Sequence, residues 1–194
     1  MKAIRFILLA LMPCLCSAAF SQKLNLRFEH LTTRDGLSHS NVLCILQDSR
    51  GFMWFGTAEG LNRYDGYKCI VYTNESKNPN SLGNNHITGI VEDAHGDLWI
   101  STLGGGLSKY DRKTDRFKRF IHEADKKNSL SSNFVRCLFI DKKGDLWLGT
   151  EEGLNKFNPS DNTFSRFDYR MATTIVPSNA VIVSILEDAQ YIAV

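Results

Sequence analysis

The side chains of this sequence that are best suited to chemistry are carboxylates and tryptophans that recur together. The pairs are Asp48 and Trp54, Asp93 and Trp99, and Asp141 and Trp147, and a glycine follows three residues after each aspartate. Aspartates in such turns could ligate calcium, and exposed tryptophans could stack on sugar rings. The turns lack the ligand series of a calcium loop, and each tryptophan lies among apolar neighbours. We therefore interpret the aspartates as turn residues and the tryptophans as core residues.

The other candidate groups match no catalytic or metal-binding pattern. The histidines show no metal-ligand spacing, and they are His30, His39, His86, His95 and His122. The glycine-rich run at 104–109 matches neither phosphate-binding fingerprint and is interpreted as a hairpin turn. No serine, cysteine or carboxylate stands in a nucleophile motif. The sequence therefore predicts a protein without catalytic residues, a bound metal or a cofactor.

The aspartate and tryptophan belong to a longer motif that occurs three times, over residues 48–65, 93–111 and 141–158. Its tryptophans lie 45 and then 48 residues apart. A fixed period of this size is the signature of a repeat protein. In each copy the aspartate and glycine indicate a tight turn, and the short run of aromatic and β-branched residues after it predicts a strand.

Each repeat predicts four short strands. They are 42–47, 52–57, 61–64 and 68–73 in the first repeat, 87–92, 98–102, 107–110 and 116–121 in the second, and 135–140, 146–150, 154–157 and 163–167 in the third. The first and second strands are apolar on both faces, and the connections are too short for helices that would cover them. Neighbouring sheets must therefore cover one another. The fourth strands alternate charged with aromatic residues and are expected to be half exposed.

These features predict an all-β fold, a partial β-propeller with about three complete four-stranded blades plus the start of a fourth. The blades are expected at about 36–80, 81–128 and 129–177, with a partial blade at 178–194 whose first strand begins at Val181. A lone strand at 24–31 is a candidate to complete the closing blade. Small residues recur at one position of the first strands, which fits the crowded innermost strand of each blade. They are Cys44, Gly89, Cys137 and Ser184.

The N-terminus predicts a secretory signal peptide over residues 1–21. Lys2 and Arg5 precede an apolar run at 6–15, which is too short to span a bilayer, and small residues follow it. Cleavage before Phe20 and cleavage before Gln22 both fit. The remainder, 22–194, is the predicted propeller, which is expected to be exported. It carries 21 basic and 21 acidic residues, so it lacks the basic footprint of a nucleic-acid-binding protein.

Candidate ligand contacts are expected on one face of the propeller. The long polar links at 74–85 and 123–133 join one blade to the next and lie beside the second-to-third turns of the blades. Loops that converge on a rigid scaffold are common binding positions. The candidate residues are Asn41, Glu59, Asn85, His86, Asn133, Glu151 and Glu152. The alternative interpretation is that these residues only cap strands and turns.

The motif resembles the two-component regulator propeller repeats. In the first copy the matching residues are Gly36, Leu37, Ser38, Asp48, Gly51, Trp54, Gly56, Thr57, Gly60, Leu61, Tyr64 and Asp65. Their order and spacing agree in three copies, between Phe28 and about Asp188. The sequence departs from the family pattern after that point, because Tyr191 replaces the turn glycine and Val194 replaces the tryptophan.

The resemblance implies the periplasmic sensor region of a hybrid two-component histidine kinase. Such a propeller is expected to have seven blades and to detect an extracellular ligand, for which glycan-derived oligosaccharides are the expected class. The implied partners are the remaining blades, a kinase region beyond a membrane helix, and a second full-length copy in a homodimer. We therefore expect a non-enzymatic module that recognises an oligosaccharide and signals to a kinase not present in this sequence.

Two alternatives come from other functional classes. Propellers similar to this one include lyases that use a loop histidine and a divalent ion, for which His86 or His122 would be the candidates. The other alternative is a secreted interaction scaffold or a truncated fragment without a function of its own. Metal analysis and turnover assays on a closed propeller would separate the enzyme from the sensor.

Overall fold

The computed structural model describes residues 28–167, 181–187 and 192–193. The described residues from Leu31 onward belong to one compact unit. The predicted signal peptide lies outside the described residues, as do residues 24–27 of the predicted lone strand. Residues 28–31 do not form a strand, so the structure differs from the prediction there. Alternation of apolar and polar residues predicts a strand only where another strand is available to pair with it.

Each of the three repeats folds into a four-stranded antiparallel sheet whose strands follow one another in chain order. Blade 1 contains β1 (Val42–Gln47), β2 (Met53–Thr57), β3 (Gly60–Tyr64) and β4 (Cys69–Tyr72). Blade 2 contains β5 (Ile87–Glu92), β6 (Leu98–Thr102), β7 (Gly106–Asp111) and β8 (Arg116–Phe120), and blade 3 contains β9 (Val135–Ile140), β10 (Leu146–Thr150), β11 (Gly153–Asn158) and β12 (Thr163–Phe167). The predicted all-β fold with four-stranded blades is confirmed.

The start of a fourth unit is smaller than expected. The predicted strand from Val181 is absent over 181–185, and a short hairpin of β13 (Leu186–Glu187) and β14 (Ile192–Ala193) follows it. Ile182 nevertheless donates its backbone N–H to the carbonyl of Thr150 at 3.0 Å. Ile182 and Ile185 are buried against blade 3, so this segment covers that blade as a further sheet would. The closed ring of seven blades stays a prediction.

The first strand of each blade is the innermost one. β1 contacts β5, and β5 contacts β9, across the blade boundaries. The hydroxyl of Thr88 in β5 donates to the carbonyl of Val135 in β9 at 2.7 Å, which joins two inner strands directly. The expectation that small residues mark the innermost strands is consistent with this arrangement.

The apolar cores lie between the blades. Trp54 is fully buried between blades 1 and 2 with Tyr110 and Phe117, and Trp99 is 3% exposed between blades 2 and 3. Trp147 is half-buried and packs on the side of blade 3 that faces Ile182. The tryptophans are therefore core residues, as predicted. Burial of a large apolar side chain contributes roughly 1.5–3 kcal/mol, so the stacked sheets stabilise one another.

Blade 1 departs from the expectation that its first strand is covered on both faces. In β1 the side chains alternate, and Leu43 and Ile45 are 41% and 59% exposed. Among the described residues no sheet covers this side of blade 1, whereas blades 2 and 3 are covered on both sides. The apolar sequence of β1 thus predicts that other sheets pack on both faces of blade 1. In the described part of the chain a sheet packs on one of these faces only.

The aspartate of each motif has two functions. Asp48 accepts hydrogen bonds from the backbone N–H groups of Arg50 at 3.0 Å and Phe52 at 2.9 Å through Oδ1, which closes the tight turn. Its Oδ2 accepts from Nε1 of Trp54 at 2.8 Å, and the same bond recurs in the other two repeats. The turn function was predicted, but the bond that fixes the orientation of the tryptophan was not.

An arginine of each following blade secures the link before it. Arg119 in β8 donates to the carbonyls of Ser81 at 2.7 Å and Asn78 at 2.8 Å. Arg166 in β12 makes the equivalent bonds to Ser129 at 3.0 Å and Lys126 at 3.2 Å in the link at 123–133. These bonds satisfy carbonyl groups of a segment that has no regular secondary structure. The links are therefore ordered parts of the blades.

We expect Arg119→Met to lower the free energy of unfolding by about 1 kcal/mol, because it leaves the buried carbonyl of Ser81 without a donor, whereas the carbonyl of Asn78 still accepts from Ser81. Urea denaturation of the full chain measures the change. Lys118→Met is the matched control, since Lys118 is exposed on the same strand and should change stability by less than about 0.5 kcal/mol. Equal effects of the two variants would contradict the proposed function of the arginine.

Candidate functional site

The links and the second-to-third turns share one face of the blades, which we call the link face. It comprises residues 39–41, 58–60, 83–86, 103–106, 132–134 and 151–153. Leu103 donates its N–H to the carbonyl of His86 at 3.0 Å, Gly104 donates to Asn133 at 3.0 Å, and Glu151 donates to Phe134 at 3.1 Å. The predicted placement of the links beside these turns is confirmed.

Two of the predicted contact residues hold the links in place. Oδ1 of Asn85 accepts the backbone N–H of Asn74 at 2.5 Å, and Oδ1 of Asn133 accepts that of His122 at 2.7 Å. The carbonyl of Asn133 accepts from both Gly104 and Gly106. The amide oxygens of Asn85 and Asn133 therefore serve the fold, which leaves them less suited to a ligand.

The other predicted residues present more of their side chains. Asn41, Glu59 and Glu152 are exposed, and His86 is half-buried with its backbone N–H bonded to Oδ1 of Asn84 at 2.9 Å. Glu59 and Glu152 lie at equivalent positions, where their N–H groups donate to the threonine that ends the preceding strand. Glu151 forms an ion pair with Arg136. These polar groups at the edge of the blades are the ones that a ligand could reach.

One exposed aromatic residue of the link face was not predicted as a contact. Phe134 is 45% exposed, and its ring lies beside Gly104 of the preceding blade. It occupies the position that Asn41 and His86 hold in the other two blades. Alignment of the repeats would have shown this difference. An exposed ring among amides and carboxylates gives the link face an apolar surface on which a flat ligand can stack.

The opposite face, which carries the tight turns, is bridged between blades 1 and 2. Arg112 donates to Oδ2 of Asp48 in blade 1 at 2.7 Å, to Oε1 of Glu92 in blade 2 at 2.9 Å, and to the carbonyl of Gly96 at 2.7 Å. Glu92 in turn accepts the backbone N–H and the hydroxyl of Ser49. Burial alone would raise the pKa of Asp48, but the hydrogen bonds from Trp54 and Arg112 outweigh it and hold that pKa below its ordinary value.

Between blades 2 and 3 the same face contains a cleft of about 260 Å³. Its walls are the tight turns of the two blades and the outer hairpin of blade 3, and its lining includes Asp93, Trp99, Lys109, Gly144 and Pro159. Asp97 and Lys109 pair at 2.6 Å on the blade 2 side. The cleft and the link face each offer polar partners to a small ligand.

No group of three or more histidine, cysteine, aspartate or glutamate side chains among the described residues is placed to hold a metal ion. His122, one candidate for lyase chemistry, has Nδ1 2.7 Å from the carbonyl of Leu130 within the link. No helix in the described ranges has the length and apolar character needed to cross a membrane.

Comparison with known proteins gives a family and several relatives. The family model of the two component regulator propeller matches residues 36–59, 81–104 and 129–152. The chain is 40% identical over 62 residues to histidine kinase P4 of Formosa agariphila. The matched segment is 32% of this chain and 4% of that protein. It therefore spans only a small part of this relative.

Solved structures with the same fold come from B. thetaiotaomicron. The extracellular domain of BT3049, described as a hybrid two component system, has a TM-score of 0.73 and 27% identity over 81% of this chain and 22% of its own. The extracellular domain of BT4673 has a TM-score of 0.56 and 26% identity over 67% of this chain and 18% of its own. The matched segments each contain the GL motif, the turn aspartate and the tryptophan described above. Each of the three blades thus carries a segment that matches the two component regulator propeller model.

Proposed function

We propose that this chain is part of the ligand-sensing propeller of an exported hybrid two-component sensor, which recognises a glycan-derived oligosaccharide and signals to a histidine kinase. The observation that carries the proposal is the threefold match to the regulator propeller, together with the likeness to extracellular domains of such systems. The relative from Formosa agariphila is itself a histidine kinase. In this proposal the module is not an enzyme and acts in the periplasm.

The chemistry of the link face supports a sugar ligand. Phe134 offers a ring on which the C–H face of a sugar can stack, and Asn41, His86, Glu59 and Glu152 offer donors and acceptors for hydroxyl groups. The partners in this proposal are the remaining blades, the kinase region and a second copy of the full-length protein. Ligand binding near the axis would act on several blades at once, because their turns and links meet on this face.

The test uses a full-length sensor that contains these blades. A panel of neutral and acidic oligosaccharides is screened by thermal shift, and the ligand found is titrated by calorimetry into the wild type and into His86→Ala and Phe134→Ala. We expect each variant to lose about tenfold or more in affinity, because each removes a contact of about 1.4 kcal/mol. Kinase autophosphorylation with and without the ligand is the second measurement.

Lys118→Ala is the matched control, since Lys118 lies on the exposed outer strand β8, away from the link face. It should leave the affinity unchanged. If His86→Ala and Phe134→Ala also bind as the wild type does, the link face is not the sensing surface. Ligand binding without any change in autophosphorylation would contradict the signalling part of the proposal.

A further inference from the structure

The two junctions between complete blades have several equivalent residues, but an arginine side chain occupies the first junction and a cleft is present in the second. Between blades 1 and 2, the guanidinium of Arg112 lies among Asp48, Glu92 and the carbonyl of Gly96. Arg112 directly follows the third strand of its blade, and its side chain is 10% exposed. This junction therefore contains a buried guanidinium site that the chain fills with its own side chain.

Between blades 2 and 3, two of these three acceptors are kept and the arginine is lost. Asp93 is the counterpart of Asp48, and Gly144 is the counterpart of Gly96. Pro159, which directly follows β11, stands where Arg112 stands, and Ile140 replaces Glu92. The cleft of about 260 Å³ is lined by Asp93, Gly144 and Pro159. The cleft thus occupies the position of the missing arginine side chain.

The carboxylate of Asp93 has acceptor capacity left for such a group. Its Oδ1 accepts the N–H groups of His95 and Asp97, and its Oδ2 accepts only Nε1 of Trp99, at 2.8 Å. The equivalent oxygen of Asp48 accepts two bonds, one of them from Arg112. In the described part of the chain, no lysine, arginine or histidine nitrogen lies within ion-pair distance of Asp93.

The other charges of the cleft are balanced or lie at its edge. Lys109 pairs with Asp97 at 2.6 Å, and Lys156 pairs with Asp145 at 2.5 Å. Lys143 and His95 are exposed at the rim. Trp99 and Phe157 form part of the lining but are almost fully buried, and Nζ of Lys109 already lies over the Trp99 ring, 5.0 Å from its centre. The volume is below the roughly 300–1,000 Å³ of sites for drug-sized ligands, so the cleft suits a group the size of one side chain.

We propose that the cleft between blades 2 and 3 is a binding site for a guanidinium group, as carried by free arginine or by an arginine residue of a peptide. The group donates to Oδ2 of Asp93 and to the carbonyl of Gly144, as Arg112 does at the preceding junction. Planar donors match a carboxylate better than an ammonium group does. The site lies on the face opposite the links, and it does not depend on the ligand proposed for the link face.

The test is a titration of the ¹⁵N-labelled full chain with N-acetyl-arginine amide, followed by the indole N–H resonances of the tryptophans. The resonance of Trp99 should shift, because its N–H is bonded to the oxygen that receives the ligand. The resonance of Trp54 should not, because Asp48 already holds Arg112. N-acetyl-citrulline amide, the neutral analogue of the same shape, should bind about tenfold more weakly or worse.

Two variants at one position test the location. Pro159→Arg should fill the cleft with the chain's own guanidinium and lower the affinity for the probe about tenfold or more. Pro159→Ala, the matched control, leaves the cleft open and should bind as the wild type does. Free arginine is titrated in parallel. If it binds more tightly than N-acetyl-arginine amide, the guanidinium group belongs to the free amino acid; if it binds more weakly, the group belongs to a peptide.

Three results would overturn the proposal. The first is the absence of a Trp99 shift at probe concentrations up to about 10 mM, which corresponds to less than about 3 kcal/mol of binding. The second is equal binding of the arginine and citrulline probes. The third is that Pro159→Arg binds the arginine probe as tightly as the wild type does, while its indole resonances show that the variant is folded. The probe comparison needs only the wild type, so a variant that fails to fold does not prevent a decision.

Discussion

Replacing Arg112 with methionine is expected to lower the free energy of unfolding by about 3–5 kcal/mol, the cost of breaking a buried ion pair from one side. The side chain of Asp48 is fully buried, and those of Arg112 and Glu92 are 10% and 13% exposed. Methionine fills much of the volume of arginine but gives no donor. Asp48 and Glu92 would then face each other across the junction without a cation, and the carbonyl of Gly96 would lose its partner.

Urea denaturation of the full chain measures this loss, with Lys113→Met as the control. Lys113 is adjacent to Arg112 and exposed, so its replacement should cost less than about 0.5 kcal/mol. A loss in Arg112→Met no larger than the loss in the control would show that the bridge contributes nothing to stability.

The pH dependence of the same variant has a definite sign. The pKa of Asp48 is lower in the folded chain than its ordinary value near 3.8, so its ionised form stabilises the fold above that value, and this contribution is lost as the pH falls through the lowered pKa. In Arg112→Met the missing cation costs stability only while Asp48 is ionised. The difference in stability between wild type and variant should therefore shrink as the pH falls from about 7 to below 3.8, the ordinary pKa of this group. A difference that stays constant over this range would assign the loss to packing.

Much of the fold could be predicted from the sequence because its causes are local. An aspartate and a glycine three residues apart close a turn by bonds within that turn, as Asp48 and Gly51 do. Short runs of aromatic and β-branched residues between turns indicate the strands, whose predicted and observed ends differ by a residue or so in the three blades. The placement of the links beside the second-to-third turns followed from the order of the strands alone.

The candidate sites depend on contacts that no single repeat contains. Arg112 and Asp48 are 64 positions apart and meet only because two blades stack. The cleft arises from a substitution at one of two equivalent junctions, Pro159 for Arg112, which becomes visible when the repeats are aligned by structure. The capping amides of Asn85 and Asn133 were placed on the correct face, but their bonds to the links depend on the path of each link.

The packing of the inner strands shows a second difference between the blades. In β2 Gly56 pairs with Cys44 and faces Ile87 of the next blade, and Gly149 has the same surroundings in β10, formed by Cys137 and Ile182. In blade 2 the glycine is on the first strand and the larger residue is on the second strand. Ser101 pairs with Gly89, and the residue of the next blade at this point is Val135, whereas Gly56 and Gly149 face Ile87 and Ile182. The total volume at this crowded point is thus kept similar while its distribution over the three positions changes.

Gly56→Ser is expected to lower the free energy of unfolding by up to about 3 kcal/mol, because a Cβ at Gly56 would lie 2.4 Å from Sγ of Cys44 and 2.6 Å from Cγ2 of Ile87. Adding Cys44→Gly and then Ile87→Val reproduces the arrangement of blade 2, and each step should recover part of the loss. Urea denaturation of the single, double and triple variants gives the coupling energies, which should reach about 1–2 kcal/mol because the three side chains share one space. Strictly additive effects, or a triple variant that is the least stable of the series, would show that the three positions do not compensate one another.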